Sequence, residues 1–257
     1  RDVLKGGAAL TGLLVIGRSA RVYAQGSASG AGVIRIGVGA LPATLDPHKN
    51  TAGISLATYF QIYNGLTRID EAGRLQPSLA ESWRWINDKT FQVKLRKGVT
   101  FHNGEPFDAA AAKWNVERIL DPETKSPVKD RIPTVTSAEV IDPLTVNLHN
   151  SSPSGLLPRA LAVVFMIPPG YYRSKGANDF VRQPVGTGPF RFVSGTPGDN
   201  QTFEAFGNYW EGSPKPRQVF MRVMKEDGAR VAALEAGDVD IIQNLPPDQV
   251  ARITNSG

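Results

Sequence analysis

Turn-forming residues break this chain so often that long uninterrupted elements have little room. Its 26 glycines and 19 prolines make up more than one residue in six, against roughly 12% in average usage. Between those breaks lie short runs of alternating apolar side chains, which read as strands closed by tight turns. With 257 residues, 41% of them hydrophobic and 21% charged, the chain can bury a core in one large domain or two modest ones. Such a composition is that of an ordinary globular protein and not of a disordered one.

The sequence contains no cysteine. Disulfide frameworks, zinc fingers, iron–sulfur clusters and thiol nucleophiles are therefore excluded within it, and a lipid anchor is not expected. His48, His102 and His149 are the three histidines, and none has metal-ligand spacing to another. No metal site or cofactor is expected. The formal charge of +5 is partly a property of the first 24 residues, where Arg1, Lys5, Arg18 and Arg21 face only Asp2. From residue 25 onward 25 basic residues meet 23 acidic ones, which gives no reason to expect nucleic-acid binding.

Residues 1–24 read as a signal peptide. Gly6 to Gly17 is an uncharged stretch behind Lys5 and Arg1, and Arg18 ends it well short of the roughly 20 residues a membrane span needs. Val22 and Ala24 supply small residues at the cleavage positions. The opening Arg1-Asp2-Val3-Leu4-Lys5 resembles the second half of a twin-arginine motif, so the export route stays open between that and general secretion. Residues 25–32 read as a flexible mature N-terminus.

Along the remainder, 33–38 alternates as a first strand, and a helix is expected over 55–64, where Leu56, Tyr59, Phe60 and Tyr63 recur at helical spacing. Gly37-x-Gly39 lacks the third glycine and the following helix of a dinucleotide site. A strand over 66–70 leads into the Glu71-Ala72-Gly73 turn. Ser78-Leu79-Ala80-Glu81 has capping-box spacing and predicts a single helical turn. Strands at 83–86 and 91–95 pair across Asn87-Asp88-Lys89, with Phe91, Val93 and Leu95 on one face. Asp108 is the expected N-cap of a helix over 109–120, with Trp114, Ile119 and Leu120 available for burial. A hairpin turns at Asp142-Pro143, and 156–164 is helical with Pro158 in its first turn. Strands follow at 190–193 and 202–206, then a strand–helix–strand unit over 219–224, 228–235 and 239–242, and a last helix begins near Asp248.

No nucleophile elbow, phosphate loop, zincin or EF-hand pattern occurs. Asp238 and Asp240 are two apart and read either as a carboxylate pair or as strand-end charges. His102 reads as a turn histidine packed on an aromatic ring in preference to a general base. Trp83, Trp85 and Trp114 are core residues or stacking platforms. Gly186-Thr187-Gly188-Pro189 is a tight chain crossing or a bare-backbone ligand approach.

Four stretches in order carry a resemblance. They are Thr44-Leu45-Asp46-Pro47 with Tyr63-Asn64-Gly65-Leu66; the run from Leu79 through Leu95-Arg96-Lys97-Gly98-Val99 to Phe101-His102-Asn103-Gly104; Pro184-Val185-Gly186-Thr187-Gly188-Pro189-Phe190; and Asn208-Tyr209-Trp210 with Ala233-Leu234-Glu235-Ala236-Gly237-Asp238-Val239-Asp240. Over about 33–257 the chain resembles the bacterial family-5 extracellular solute-binding proteins, the peptide/nickel-binding components of ABC importers. Ala109 to Ala112 departs from the family, which opens this helix with an acidic residue, Asp and Val.

The resemblance implies an α/β, type-II periplasmic-binding-protein-like fold that closes on its solute like a hinge. It divides this chain into a first lobe, 33–66 and 183–257, and the family's extra subdomain, 67–182, with the second lobe not in the sequence. Ligand-binding positions implied here are Thr51, Ala52, Gly53 and Ile54, from a loop facing the cleft, and Asn244 and Leu245, at the approach to the inter-lobe crossover. The expected protein is periplasmic, monomeric and not an enzyme. It takes a small solute, with an oligopeptide or dipeptide favoured over a nickel chelate, glutathione or an oligosaccharide. Its partner is an ABC permease with its ATPase. The alternatives are a ligand sensor for a chemoreceptor or signalling partner, and a secreted hydrolase using the Asp238/Asp240 pair.

Overall fold

The computed structural model describes residues 32–255. The expected signal peptide over 1–24, and the expected tail apart from Gly32, lie outside them. Among the described residues the chain forms β1 (Val33–Val38), α1 (Leu56–Ile62) behind a 3-10 turn at Gly53–Ser55, β2 (Thr67–Ile69), β3 (Leu75–Pro77), β4 (Ala80–Asn87) and β5 (Thr90–Leu95). It continues through α2 (Ala109–Leu120), β6 (Val135–Asp142), β7 (Thr145–Asn150), α3 (Leu157–Ala160) and α4 (Pro169–Phe180). The last part holds β8 (Phe190–Thr196), β9 (Asn200–Ala205), β10 (Gln218–Val223), α5 (Asp227–Glu235), β11 (Ile241–Ile242) and α6 (Val250–Asn255).

A five-stranded sheet runs in the order β11-β1-β10-β9-β8. Its strand β1 lies parallel to both β10 and β11, whereas β9 runs antiparallel to β10 and β8. The strand–helix–strand unit β10-α5-β11 therefore straddles β1 instead of pairing its own two strands. A separate four-stranded antiparallel sheet has the order β4-β5-β7-β6.

Two apolar cores follow. In one, Phe91, Val93 and Leu95 project from a single face of β5 and pack with Val146 and Leu148 of β7 against Ala112, Val116 and Ile119 of α2. In the other, Tyr59, Ile62 and Tyr63 at α1 meet Phe190, Phe203, Val219 and Met221 of the five-stranded sheet. Helix α2 begins where expected, because the Asp108 carboxylate accepts the Ala111 N–H at 2.8 Å. The alanine run does not weaken that start: Ala109, Ala111 and Ala112 are buried against the sheet, where small side chains let the helix approach closely. Trp114 and Leu120 are half-buried, not buried like Ile119.

One expectation fails, and one helix was not anticipated. Ser78-Leu79-Ala80-Glu81 is not a helical turn. The Leu79 and Ala80 N–H groups donate to the carbonyls of Gly65 and Leu66, and the Arg96 N–H donates to Leu79. Cross-strand pairing and the complete burial of Leu79 and Ala80 outweigh the local capping signal. Helix α4 was not expected, since Pro168, Gly170 and Gly176 interrupt its periodicity, and Gly176 indeed kinks it with φ of 73°.

Candidate functional site

The residues that carry the family resemblance meet in space. The Asn64 side chain accepts hydrogen bonds from the Thr187 hydroxyl and the Trp210 indole, both at 3.1 Å, and donates to the Tyr209 hydroxyl at 3.4 Å. One amide thus ties the Tyr-Asn-Gly-Leu, Gly-Thr-Gly-Pro and Asn-Tyr-Trp stretches together. A Cβ on Gly186 would stand 2.1 Å from the Ile62 carbonyl oxygen, and one on Gly188 2.5 Å from that of Gln61. Only glycine allows this crossing of two backbones, so the segment is a structural joint.

His102 belongs to the same joint. Its Nε2–H donates to the Gly188 carbonyl at 2.9 Å, which leaves Nδ1 to accept the Gly186 N–H at 3.3 Å. Both contacts are satisfied by the neutral ring, and burial pushes its pKa down to about 4. The ring packs edge-on against Phe206 with centroids 4.9 Å apart. No carboxylate or nucleophile faces it among the described residues, so it is not placed as a general base.

A second joint holds the loop that follows β1. The Arg118 guanidinium of α2 binds the Asp46 carboxylate through two hydrogen bonds of 2.6 and 3.2 Å. It also donates to His48 Nδ1 and to the Tyr172 hydroxyl, each at 2.6 Å. His48 Nε2–H donates to the Phe165 carbonyl at 2.8 Å, which fixes the neutral tautomer. Complete burial pushes this histidine down to about 4 as well, against the pull of the Asp46 charge.

The candidate loop continues from there. The Thr51 carbonyl accepts from Arg131 at 2.7 Å, the Ala52 N–H donates to Asn50 Oδ1 at 2.8 Å, and Asn50 Nδ2 donates to Ser55 Oγ at 2.8 Å. Ala52 and Gly53 are exposed, Thr51 and Ile54 half-buried. Nothing lies within 4 Å of the place a Cβ on Gly53 would occupy, so the backbone there is open to an incoming group. Asn244 and Leu245 lie at the other candidate position, just past the carboxyl end of β11. Asn244 is exposed and takes the left-handed φ of 58°, which asparagine tolerates better than most residues, and so turns the chain out of the sheet.

Beneath that turn the buried Arg230 side chain donates to the carbonyls of Met224, Lys225 and Gln243 at 2.7, 2.9 and 3.1 Å. It gathers the carboxyl ends of β10 and β11, the edge at which open α/β sheets bind ligands. Among the described residues no hydrogen bond links the 51–54 loop to Asn244 or Leu245.

The alternative sites resolve differently. Asp240 is engaged by the Arg35 backbone N–H at 2.8 Å and by its guanidinium at 3.1 Å, which holds its carboxyl below the usual range. Asp238 is exposed. The two do not form a matched acid–base pair. Trp83 and Trp85 pack on the core of the four-stranded sheet, while Trp114 lines an open groove of about 490 Å³ with Arg118, Tyr172 and Arg173. Among the described residues no group of three or more His, Asp or Glu side chains is placed to hold a metal ion. No described helix is long and apolar enough to cross a membrane.

Sequence reasoning missed Arg118, Arg131, Asn64 and Glu105 as organising residues. Their long-range partners lie 54 to 146 residues away, and no local pattern signals such pairings.

A model of the bacterial extracellular solute-binding proteins, family 5 Middle, matches residues 74–257. The glutathione-binding protein GsiB of Escherichia coli O1:K1 is 31% identical over 245 residues, which cover 94% of this chain and 48% of that protein. The chain thus spans about half the length of the curated relatives it matches. The solved oligopeptide-binding protein AppA of Bacillus subtilis, in complex with a nonapeptide, superposes with a TM-score of 0.80 at 26% identity, covering 86% of this chain and 45% of that one. AgaA of A. tumefacien R10, in complex with agropinic acid, gives 0.80 at 31% identity over 87% and 46%. The expected periplasmic-binding-protein architecture is therefore present over the part of these relatives that the chain spans. They are solute-binding proteins, not enzymes. Motif order, fold and family match agree: the chain belongs to the bacterial extracellular solute-binding proteins of family 5.

Proposed function

We propose that this chain is part of the solute-binding component of an ABC importer, working in the periplasm and taking a peptide-like solute. The observation that carries the reading is the exposed backbone at Ala52 and Gly53, where a Cβ on Gly53 would meet nothing within 4 Å, within the candidate loop of Thr51, Ala52, Gly53 and Ile54. Main-chain groups bare of side chains suit an extended ligand that is itself rich in amide donors and acceptors. The similarity to a glutathione-binding protein and to an oligopeptide-binding protein supports the same solute class, since glutathione is a tripeptide. In this reading 33–66 and 183–257 form the first lobe and 67–182 the extra subdomain. Asn244 and Leu245 begin the crossover about which the lobes close. Contacts made to both lobes stabilise the closed state, which the permease recognises.

The test is a thermal-shift screen of the full-length mature protein against glutathione, dipeptides, oligopeptides, nickel chelates and oligosaccharides. A solute at 100 times its Kd adds about 2.7 kcal/mol to stability, a shift such a screen resolves. Calorimetry on Gly53→Asp and Ile54→Trp then checks the loop. Both substitutions are expected to weaken binding at least tenfold, and unchanged affinity in both would remove the loop from the site.

A further inference from the structure

We infer that the segment 118–131 is a brace that holds the 51–54 loop in its solute-ready conformation before any solute arrives, with Arg131 as the positioning residue. The inference rests on the reading of that loop as solute-facing. The chain from Asp46 to Thr51 is tied to this one segment through four of its residues, Asp46, His48, Lys49 and Thr51. Arg118 takes the Asp46 carboxylate. The Ser126 hydroxyl donates to the His48 carbonyl at 2.6 Å and, with the same oxygen, accepts the Val128 N–H at 3.2 Å. The Lys49 ammonium donates to the Thr124 carbonyl. Arg131 donates to the Thr51 carbonyl at 2.7 Å.

Arg131 is the last of these tethers. Beyond it the loop is held by short-range bonds of its own, from Ala52 to Asn50 and from Ser55 to the Ala52 carbonyl at 3.0 Å. A loop with so few anchors samples other backbone conformations once its final long-range tether is removed. Any solute must then select the competent fraction, and its apparent affinity falls by that fraction. Arg131 stands at the end of the 3-10 turn Pro127–Arg131, whose start the Ser126 hydroxyl caps. The hydroxyl that fixes His48 therefore also fixes the turn that presents Arg131.

The experiment compares the full-length wild-type protein with Arg131→Ala and Arg131→Lys. Hydrogen exchange is read first on the solute-free protein, at the amides of Ala52, Ser55 and Leu56 and, as an internal reference, at those of helix α2. Arg131→Ala is expected to speed the loop amides at least tenfold with the α2 amides unchanged, and Arg131→Lys to recover part of the protection. Loop exchange within twofold of wild type overturns the inference. Affinity for glutathione is then measured in the same proteins and in Gly53→Asp. A five- to tenfold loss in Arg131→Ala supports the brace. An unchanged affinity there, with binding abolished by Gly53→Asp, overturns it while the loop stays in the site. Unchanged affinity in both variants removes the loop from the site and the inference with it.

Discussion

The Arg118 guanidinium and the Asp46 carboxylate, 72 residues apart in sequence, form a two-point ion pair with side chains almost wholly out of solvent. Each cancels a charge that the other could not keep buried alone. Replacing Arg118 with Met keeps most of the apolar stem but leaves the Asp46 carboxylate unpaired, at an expected cost of about 3–5 kcal/mol. The Asp46→Asn, Arg118→Met double variant is expected to recover part of that loss, because no net charge then remains buried. Urea unfolding of the single and double variants checks the cycle. Additive losses would show that the two side chains do not act as a pair.

Buried neutral histidines make stability depend on acidity in a defined window. An unfolded histidine titrates near 6.5, whereas His48 and His102 are held at about 4. Between those values the unfolded chain takes up protons that the folded chain refuses, so acid favours unfolding. The stabilisation from each neutral ring is complete above pH 6.5 and is lost as pH falls toward 4, on the order of 3 kcal/mol per histidine. Asp70, held down at about 2 mainly by the Arg74 backbone N–H, adds a further loss only below the ordinary carboxylate range. Unfolding free energy measured at pH 7.5, 6 and 5 should fall steeply, and less steeply in His102→Gln. A flat profile would contradict the neutral state of both rings.

Three glycines separate crowding from openness. Gly186→Ala and Gly188→Ala each force a methyl group into the backbone of residues 61–62. Each is expected to cost more than about 3 kcal/mol or to prevent folding, as overpacking against immobile backbone does. Gly53→Ala meets open space and should change stability by less than about 0.5 kcal/mol. Melting temperatures of the three variants give the comparison directly.

Helix α4 has a borrowed cap. The Glu105 carboxylate accepts the N–H groups of Gly170 and Tyr171 at 2.9 and 2.7 Å, whereas Pro168 at the N-cap position contributes no side-chain bond. Glu105→Ala should cost about 1–2 kcal/mol, with faster hydrogen exchange confined to the first turn of α4. Unaltered exchange there would mean that the cap contributes nothing.

This borrowed cap also shows where sequence reading stops. Helix α2 was legible to the residue because its signals are local: Asp108 at the start and buried positions at helical spacing. The β4–β5 hairpin was legible for the same reason, its turn and its alternation lying within a few residues. Helix α4 takes its cap from a loop 65 residues away and contains a glycine kink, so local propensity argued against it. The capping box at Ser78 failed in the opposite sense, a correct local signal overruled by sheet pairing.

The candidate site was legible only as a loop. The residues that hold it, Arg118 and Arg131, are ordinary polar positions in sequence and acquire a role when the fold brings them to Asp46 and Thr51. The family resemblance pointed to the loop as a candidate without indicating what fixes it.

The central place of β1 carries a consequence for how the chain is made. Val33 lies opposite Gln218, 185 residues further on, and Ile36 opposite Ile241. The four-stranded sheet, by contrast, draws all its strands from residues 80–150. During synthesis that smaller sheet has every partner available long before β1 has either of its neighbours. Distant pairings also form more slowly than near ones. The first of the described strands is thus covered late, after the strands of the smaller sheet. Until residue 242 has emerged, at least one hydrogen-bonding edge of β1 lacks the partner it has in the folded chain, which makes this strand one that a chaperone has reason to shield.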